Sequence, residues 1–145
     1  PYMHASYLKV KVLELLLYLG TEKIQNTQVK VPYFAHTQVK KVKEIQKYMV
    51  SNLRQHYTLE QLSEQFDIPL TSMKACFKGV FGCSIYAYIK SYRMQAATVL
   101  LQNSDCSITE IAMKMGYDNP SKFSEVFKKE YEMTPSEFRK KYIKA

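Results

Sequence analysis

The chain has 145 residues, of which 46% are hydrophobic and 13% aromatic, with a formal net charge of +8 and a pI of about 9.3. This composition can build one packed domain with or without a helical appendage, and its charge suits a polyanion such as nucleic acid, or an anionic membrane surface. The longest apolar stretch, Val12 to Leu19, is too short for a bilayer span, which needs about 20 residues.

The number and spacing of the cysteines argue against a disulfide-stabilised protein and against a zinc-binding protein. Cys76, Cys83 and Cys106 are odd in number, form no C-x-x-C pair and lie far from the histidines. Neither a disulfide framework nor a zinc site fits this spacing, so we expect buried or half-buried thiols in a reducing cytoplasm, with no metal or cofactor. The sequence also lacks a catalytic constellation and a Gly-rich phosphate loop, so an enzyme is not expected.

Two helices are predicted before residue 58. The first follows apolar positions that end at Gly20, namely Leu8, Val12, Leu15, Leu16 and Leu19. Residues 21–36 are a predicted connection, and because the chain begins at Pro1 without a methionine we expect a fragment of a longer protein. The second helix is predicted from Thr37, as N-cap, to near Tyr57. Its lysines are either solvated surface or phosphate contacts.

An internal repeat follows at an offset of 49 to 50 residues. Thr58–Gln61 and Ser107–Glu110 both fit the capping box that starts a helix. A turn is predicted in each copy, at Asp67 and at Gly116, where left-handed backbone is expected. Matching core positions also recur, pairing Leu62 with Ile111, Met73 with Phe123, Phe77 with Phe127, and Phe81 with Tyr131.

Each copy predicts a helix-turn-helix, because a short helix and a tight turn precede a longer helix. The longer helices are expected to begin near Pro69 and Pro120, with proline in the first helical turn. Between the copies, one long helix is predicted from Ile85 to Leu101, with an apolar face of Ile85, Tyr88, Ile89, Tyr92, Ala96, Val99 and Leu100. A last helix, capped at Thr134, carries Phe138 and Tyr142.

The predicted fold is therefore all-α, with two helix-turn-helix subdomains joined by a long linker helix and preceded by an N-terminal helical segment. Residues 58–82 form the first unit, 85–101 the linker helix and 107–132 the second unit. Residues 1–36 are expected to be the remnant of a preceding region plus a linker, and 37–145 the double helix-turn-helix domain.

Residues 50–145 resemble the AraC/XylS family of transcription regulators. The resemblance is strongest from Ile111 to Lys140, in Ile111-Ala112, Gly116-Tyr117, Ser121, Phe123, Phe127-Lys128, Thr134-Pro135 and Phe138-Arg139. It implies a bacterial, cytoplasmic activator or repressor that binds double-stranded DNA. It also implies RNA polymerase as a partner, and residues 1–36 as the end of a sensory region through which the protein could form a homodimer.

In such proteins the second helix of each unit lies in the major groove. The candidate base-reading residues are Thr71, Ser72, Lys74, Ala75, Lys78, Asn119, Ser121, Lys122, Ser124 and Glu125. Lys74 suits guanine and Thr71 a thymine methyl group, whereas Glu125 would either accept from cytosine or hold a neighbouring lysine. Candidate phosphate contacts are Lys78, Arg93, Lys128 and Lys129.

A second function remains open. Thr71 and Ala75 are small where the family often carries larger polar side chains, which favours a protein-interaction module that kept the fold without specific DNA binding. The retained lysines, including Lys74 and Lys122, favour DNA binding instead.

Overall fold

The computed structural model describes residues 9–16 and 33–143, and every regular element among them is helical. The chain divides between Pro32 and Tyr33 into two units. The described part of the first unit is α1, residues 9–16, whose apolar side chains are exposed. Its predicted end at Gly20 and most of the predicted connection lie outside the described residues. The second unit contains α2 His36–Ser51, α3 Leu59–Gln65, α4 Leu70–Phe81, α5 Ile85–Asn103, α6 Ile108–Lys114, α7 Pro120–Tyr131 and α8 Pro135–Tyr142.

The second helix, α2, is shorter than predicted and starts earlier. Its N-cap is Ala35 rather than Thr37, and it ends at Ser51 rather than near Tyr57. Residues 52–57 form a loop instead, because Leu53 packs against the hydrophobic cores of both helix-turn-helix units. Continuing the helix through Leu53 would give up that burial. No described helix combines the length and apolar character that a membrane span requires.

Both predicted capping boxes are confirmed. The backbone N–H of Gln61 donates to Thr58 Oγ1 over 3.1 Å while that of Thr58 donates to Gln61 Oε1 over 3.0 Å. Ser107 and Glu110 repeat the arrangement at 3.1 and 2.7 Å. These reciprocal bonds satisfy donors that a helix start leaves without partners, so the short sequence pattern was enough to locate both starts.

The turns confirm the predicted left-handed backbone, with φ of 48° at Asp67 and 83° at Gly116. Pro120 opens α7 at its first position, as predicted. The longer helix of the first unit begins at Leu70, near Pro69 as predicted, although Pro69 is the N-cap of α4 rather than a residue of its first turn. Its φ of −55° suits either place.

Each helix-turn-helix unit has its own core. The first core contains Val42, Ile45, Met49, Leu62, Ile68, Met73, Cys76, Phe77, Ile85 and Ile89. The second contains Met94, Ala97, Leu101, Ile111, Ala112, Met115, Phe123, Phe127 and Phe138. The linker helix α5 contributes to both, which explains why the two copies of the repeat can fold around one helix.

The predicted apolar face of α5 is wrong in its second half. Ile85 and Ile89 face the first core, whereas Met94, Ala97 and Leu101 face the second. With 3.6 residues per turn, these two sets lie roughly 130° apart around the helix. Of the later members of the predicted face, Tyr92 is 37% and Val99 56% exposed, whereas Ala96 and Leu100 are half-buried at the edge of the second core.

Candidate nucleic-acid interface

The second helix of the first unit, α4, has one buried and one exposed face. Met73, Cys76 and Phe77 are fully buried. The predicted base-reading residues lie on the other side, with Thr71, Lys74, Ala75 and Lys78 exposed and Ser72 half-buried. Because this helix contains no acidic residue, its exposed charges are both positive.

In the second unit, α7 repeats this division. Phe123 and Phe127 are fully buried, while Ser121, Lys122 and Glu125 are exposed and Ser124 is half-buried. Asn119 is the N-cap, and its side-chain oxygen accepts from the backbone N–H groups of Ser121 and Lys122 at 2.9 and 3.3 Å. The acceptor of Asn119 is therefore occupied by the helix start, which leaves its NH₂ group for an external partner.

Glu125 lies between two lysines of its own helix. Its carboxylate accepts from Lys129 Nζ at 3.1 Å and from Lys122 Nζ at 3.2 Å. Hydrogen bonds from Lys129 and then Lys122 lower the pKa of Glu125 from its ordinary value. This geometry favours the alternative in which Glu125 holds neighbouring lysines over the one in which it accepts from cytosine.

Equivalent lysines lie near the carboxyl ends of α4 and α7. Lys78 and Lys128, which the repeat aligns, are both exposed in the last turn of their helices. Lys129 is also exposed. Positive groups at matching places in two units can contact the phosphate backbone in the same way at each unit.

The structure contradicts the prediction that Arg93 contacts a DNA phosphate. Only 8% of it is exposed, and its guanidinium donates to the backbone oxygen of Gln55 over 2.9 Å. Burial lowers the pKa of Arg93, which lies close to Tyr117 and Tyr57. A phosphate could not reach this group without opening the domain, so Arg93 has an internal role.

Several polar contacts were not anticipated from the sequence. His56 Nε2 donates to the backbone oxygen of Gly116 over 2.5 Å, and Lys41 Nζ donates to the backbone oxygen of Asp67. Arg139 donates to the backbone oxygens of Leu101 and Cys106. None belongs to a short motif, since each joins residues at least 26 positions apart. Within 9–16 and 33–143, no cluster of three or more His, Cys, Asp or Glu side chains is arranged to hold a metal ion.

Comparison with known proteins locates the similarity in this same region. A family model described as a helix-turn-helix domain matches residues 62–141. The HTH-type transcriptional regulator ExsA of Pseudomonas aeruginosa is 35% identical over 98 residues, covering 68% of this chain and 35% of that protein. The chain spans 35% of the length of ExsA and 40% of the length of another curated relative, the transcriptional activator RhaR of Mannheimia succiniciproducens.

Solved structures share the architecture. The C-terminal domain of the two-component response regulator yesN from Fusobacterium nucleatum has a TM-score of 0.61 and 30% identity, over 69% of this chain and 95% of that one. The DNA-binding domain of AdpA, crystallised with a target DNA, has a TM-score of 0.66 over 70% of this chain and 91% of that one. At 21% identity, this second likeness concerns the fold alone.

Proposed function

Because the chain belongs to the AraC/XylS family of helix-turn-helix proteins, we propose that residues 37–145 are the DNA-binding part of a bacterial transcription regulator. The observation that carries this proposal is the pair of second helices, α4 and α7, each with a buried aromatic face and an exposed face of small polar and basic side chains. Such a face fits the major groove, where base edges present donors and acceptors. The net charge of +8 supports a polyanionic partner.

Within this proposal the side chains divide between two roles. Lys74 donates to guanine O6 and N7 while Thr71 contacts a thymine methyl group. In α7, Ser121 and Lys122 contact base edges; the ion pair of Lys122 with Glu125 is exposed and therefore weak, so DNA can displace it. Ser72, Ala75, Asn119 and Ser124 line the same two faces. The last-turn lysines Lys78, Lys128 and Lys129 contact phosphates.

The DNA site is asymmetric in this proposal. One chain carries both recognition helices, and α4 and α7 present different side chains, so the two halves of the site differ in sequence. Successive major-groove faces lie about 34 Å apart along the duplex. One chain would therefore cover two adjacent groove segments without a second copy.

The names of similar proteins support the wider role. RhaR of Mannheimia succiniciproducens is described as an HTH-type transcriptional activator, and ExsA of Pseudomonas aeruginosa as an HTH-type transcriptional regulator. By analogy, the whole protein would act in the cytoplasm, contact RNA polymerase and dimerise through a region preceding residue 37. The alternative of a pure protein-interaction module is not favoured by these relatives.

Fluorescence-anisotropy titration tests the proposal directly. A pool of promoter duplexes is titrated with the chain at several salt concentrations. We expect a subset to bind far above the rest, with affinity falling steeply as salt rises. Lys74→Ala and Lys122→Ala should change which sequences are preferred. Equal, salt-insensitive binding of all duplexes, or none at low salt, would refute the proposal and favour the interaction module.

A matched set of charge removals separates the two roles. Lys128→Ala should weaken binding to all duplexes alike and reduce the salt slope by about 1. Lys90→Ala removes the same charge from the exposed surface of α5, outside both recognition helices, and should leave the affinity and the salt slope close to those of the wild type. A change of preference in Lys128→Ala would contradict its assignment as a phosphate contact.

A further inference from the structure

The two helix-turn-helix units have separate hydrophobic cores. Their core clusters have no buried member in common, and among the described residues Leu53 alone packs against both. Apart from this loop side chain, the linker helix α5 is the main connection between the cores. The relative orientation of α4 and α7 therefore depends on α5 and on the contacts that the 52–57 loop makes with both units.

This loop lies directly against the turn of the second unit. A Cβ atom added at Gly116 would be 3.0 Å from the backbone oxygens of both Leu53 and Arg54, and 3.3 Å from Arg93 Nη2. The equivalent turn residue of the first unit is Asp67, whose side chain is exposed. Glycine stands at the second turn because both the positive φ and the closeness of the loop require it.

Two hydrogen bonds hold the loop in place. His56 Nε2 donates to Gly116 O over 2.5 Å, and since a carbonyl oxygen only accepts, this ring nitrogen carries the proton. On the other side, the buried guanidinium of Arg93 on α5 donates to Gln55 O over 2.9 Å. Successive residues of one loop are thus tied to the linker helix and to the turn that leads into α7.

We infer that His56 is a positioning residue that sets the orientation of the second recognition helix relative to the first, and so determines which spacing between two DNA half-sites the chain accepts. This inference rests on the proposed function for its DNA consequence. His56 lies outside both recognition helices and is partly exposed to solvent. His56 acts through the hydrogen bond from its Nε2 to Gly116 O, which joins the 52–57 loop to the turn of the second unit.

Residual dipolar couplings measure this orientation without DNA. Amide couplings of α4 and α7 in the full 145-residue chain should fit one alignment tensor in the wild type. In His56→Ala the two helices should require tensors of different magnitude or orientation, while His56→Gln, whose amide can donate the same bond, should restore the single tensor. Asn52→Ala, in the same loop but bonded to the Gln55 side chain, is the control. One shared tensor in His56→Ala, equal to that of the wild type, overturns the inference.

Spacing variants of a duplex selected from a random pool by the wild-type chain give the functional readout. One inserted base pair moves the half-sites 3.4 Å further apart. We expect this insertion to weaken wild-type binding by about tenfold, as a mismatched base pair does, and His56→Ala to lose most of that discrimination. For a duplex with one half-site scrambled, the affinity of His56→Ala should equal the affinity of the wild-type chain.

The outcomes distinguish the two proposals. Unchanged spacing discrimination in His56→Ala overturns the inference while leaving DNA binding intact. If the wild-type chain enriches no duplex at all, the proposed function fails, and the dipolar couplings still decide whether His56 fixes the orientation of the units.

Discussion

Replacing Gly116 with alanine should destabilise the domain more than the same change at Gly82. Both glycines have positive φ, 83° and 79°, so alanine brings left-handed strain of about 1–2 kcal/mol at either place. Reduced entropy of the unfolded chain offsets about 0.4–1 kcal/mol of that strain. At Gly82 nothing lies within 4 Å of the added methyl group, so the net cost should be about 1 kcal/mol.

At Gly116 the methyl group also meets two backbone oxygens of the 52–57 loop at 3.0 Å. Overpacking of this kind costs about 1–3 kcal/mol, so the total should be about 2–4 kcal/mol. Urea unfolding followed by circular dichroism at 222 nm measures both variants on the same scale. Equal losses of unfolding free energy at the two positions would refute the claim that the loop is packed against the second turn.

Three further predictions concern single side chains. Phe127→Ala removes a fully buried ring of the second core and should lower the unfolding free energy by about 3–5 kcal/mol, measured by urea denaturation. At the start of α8, hydrogen bonds from the backbone N–H and then the hydroxyl of Thr134 lower the pKa of Glu137. These bonds therefore stabilise the folded state fully above the ordinary glutamate pKa, and this stabilisation is lost as the pH falls below it. Thermal unfolding between pH 7 and pH 3 should therefore show a shallower acid decline in Glu137→Gln. Hydrogen bonds, chiefly that with Ser104, lower the pKa of Cys106, whereas burial raises the pKa of Cys76. Iodoacetamide at neutral pH should therefore alkylate Cys106 faster than Cys76, and equal rates at these two thiols would contradict the prediction.

Local patterns in the sequence were sufficient for the helix starts and turns. A capping box involves residues three positions apart, and Thr58 with Gln61 forms it from short-range hydrogen bonds alone. The left-handed turn at Gly116 likewise follows from the residue type. These features repeat in both copies, which is why the sequence alone predicts the paired helix-turn-helix architecture.

Long-range packing explains what the sequence did not reveal. The end of α2 at Ser51 depends on Leu53, which finds partners in two cores that are assembled from distant parts of the chain. The interior place of Arg93 depends on a backbone oxygen 38 residues away. A cation near a predicted DNA-binding helix resembles a phosphate contact until the tertiary structure shows its hydrogen-bond partner.

The candidate interface itself was largely accessible to sequence reasoning. The buried positions Met73 and Phe123 set the phase of α4 and α7, and the remaining faces follow from helix geometry. The pairing of Glu125 with Lys122 and Lys129 follows only from the three-dimensional structure, because an isolated carboxylate can accept from cytosine as well as from lysine.

The central claim is that one chain places two recognition helices in two adjacent groove segments. Hydroxyl-radical footprinting of a selected duplex, at a stoichiometry fixed by sedimentation, tests it most directly. We predict a 1:1 complex with two protected backbone patches separated by one helical turn, about 10–10.5 base pairs, and loss of protection at only one patch in Lys128→Ala. A single protected patch, or a symmetric footprint that needs two chains, would contradict the account.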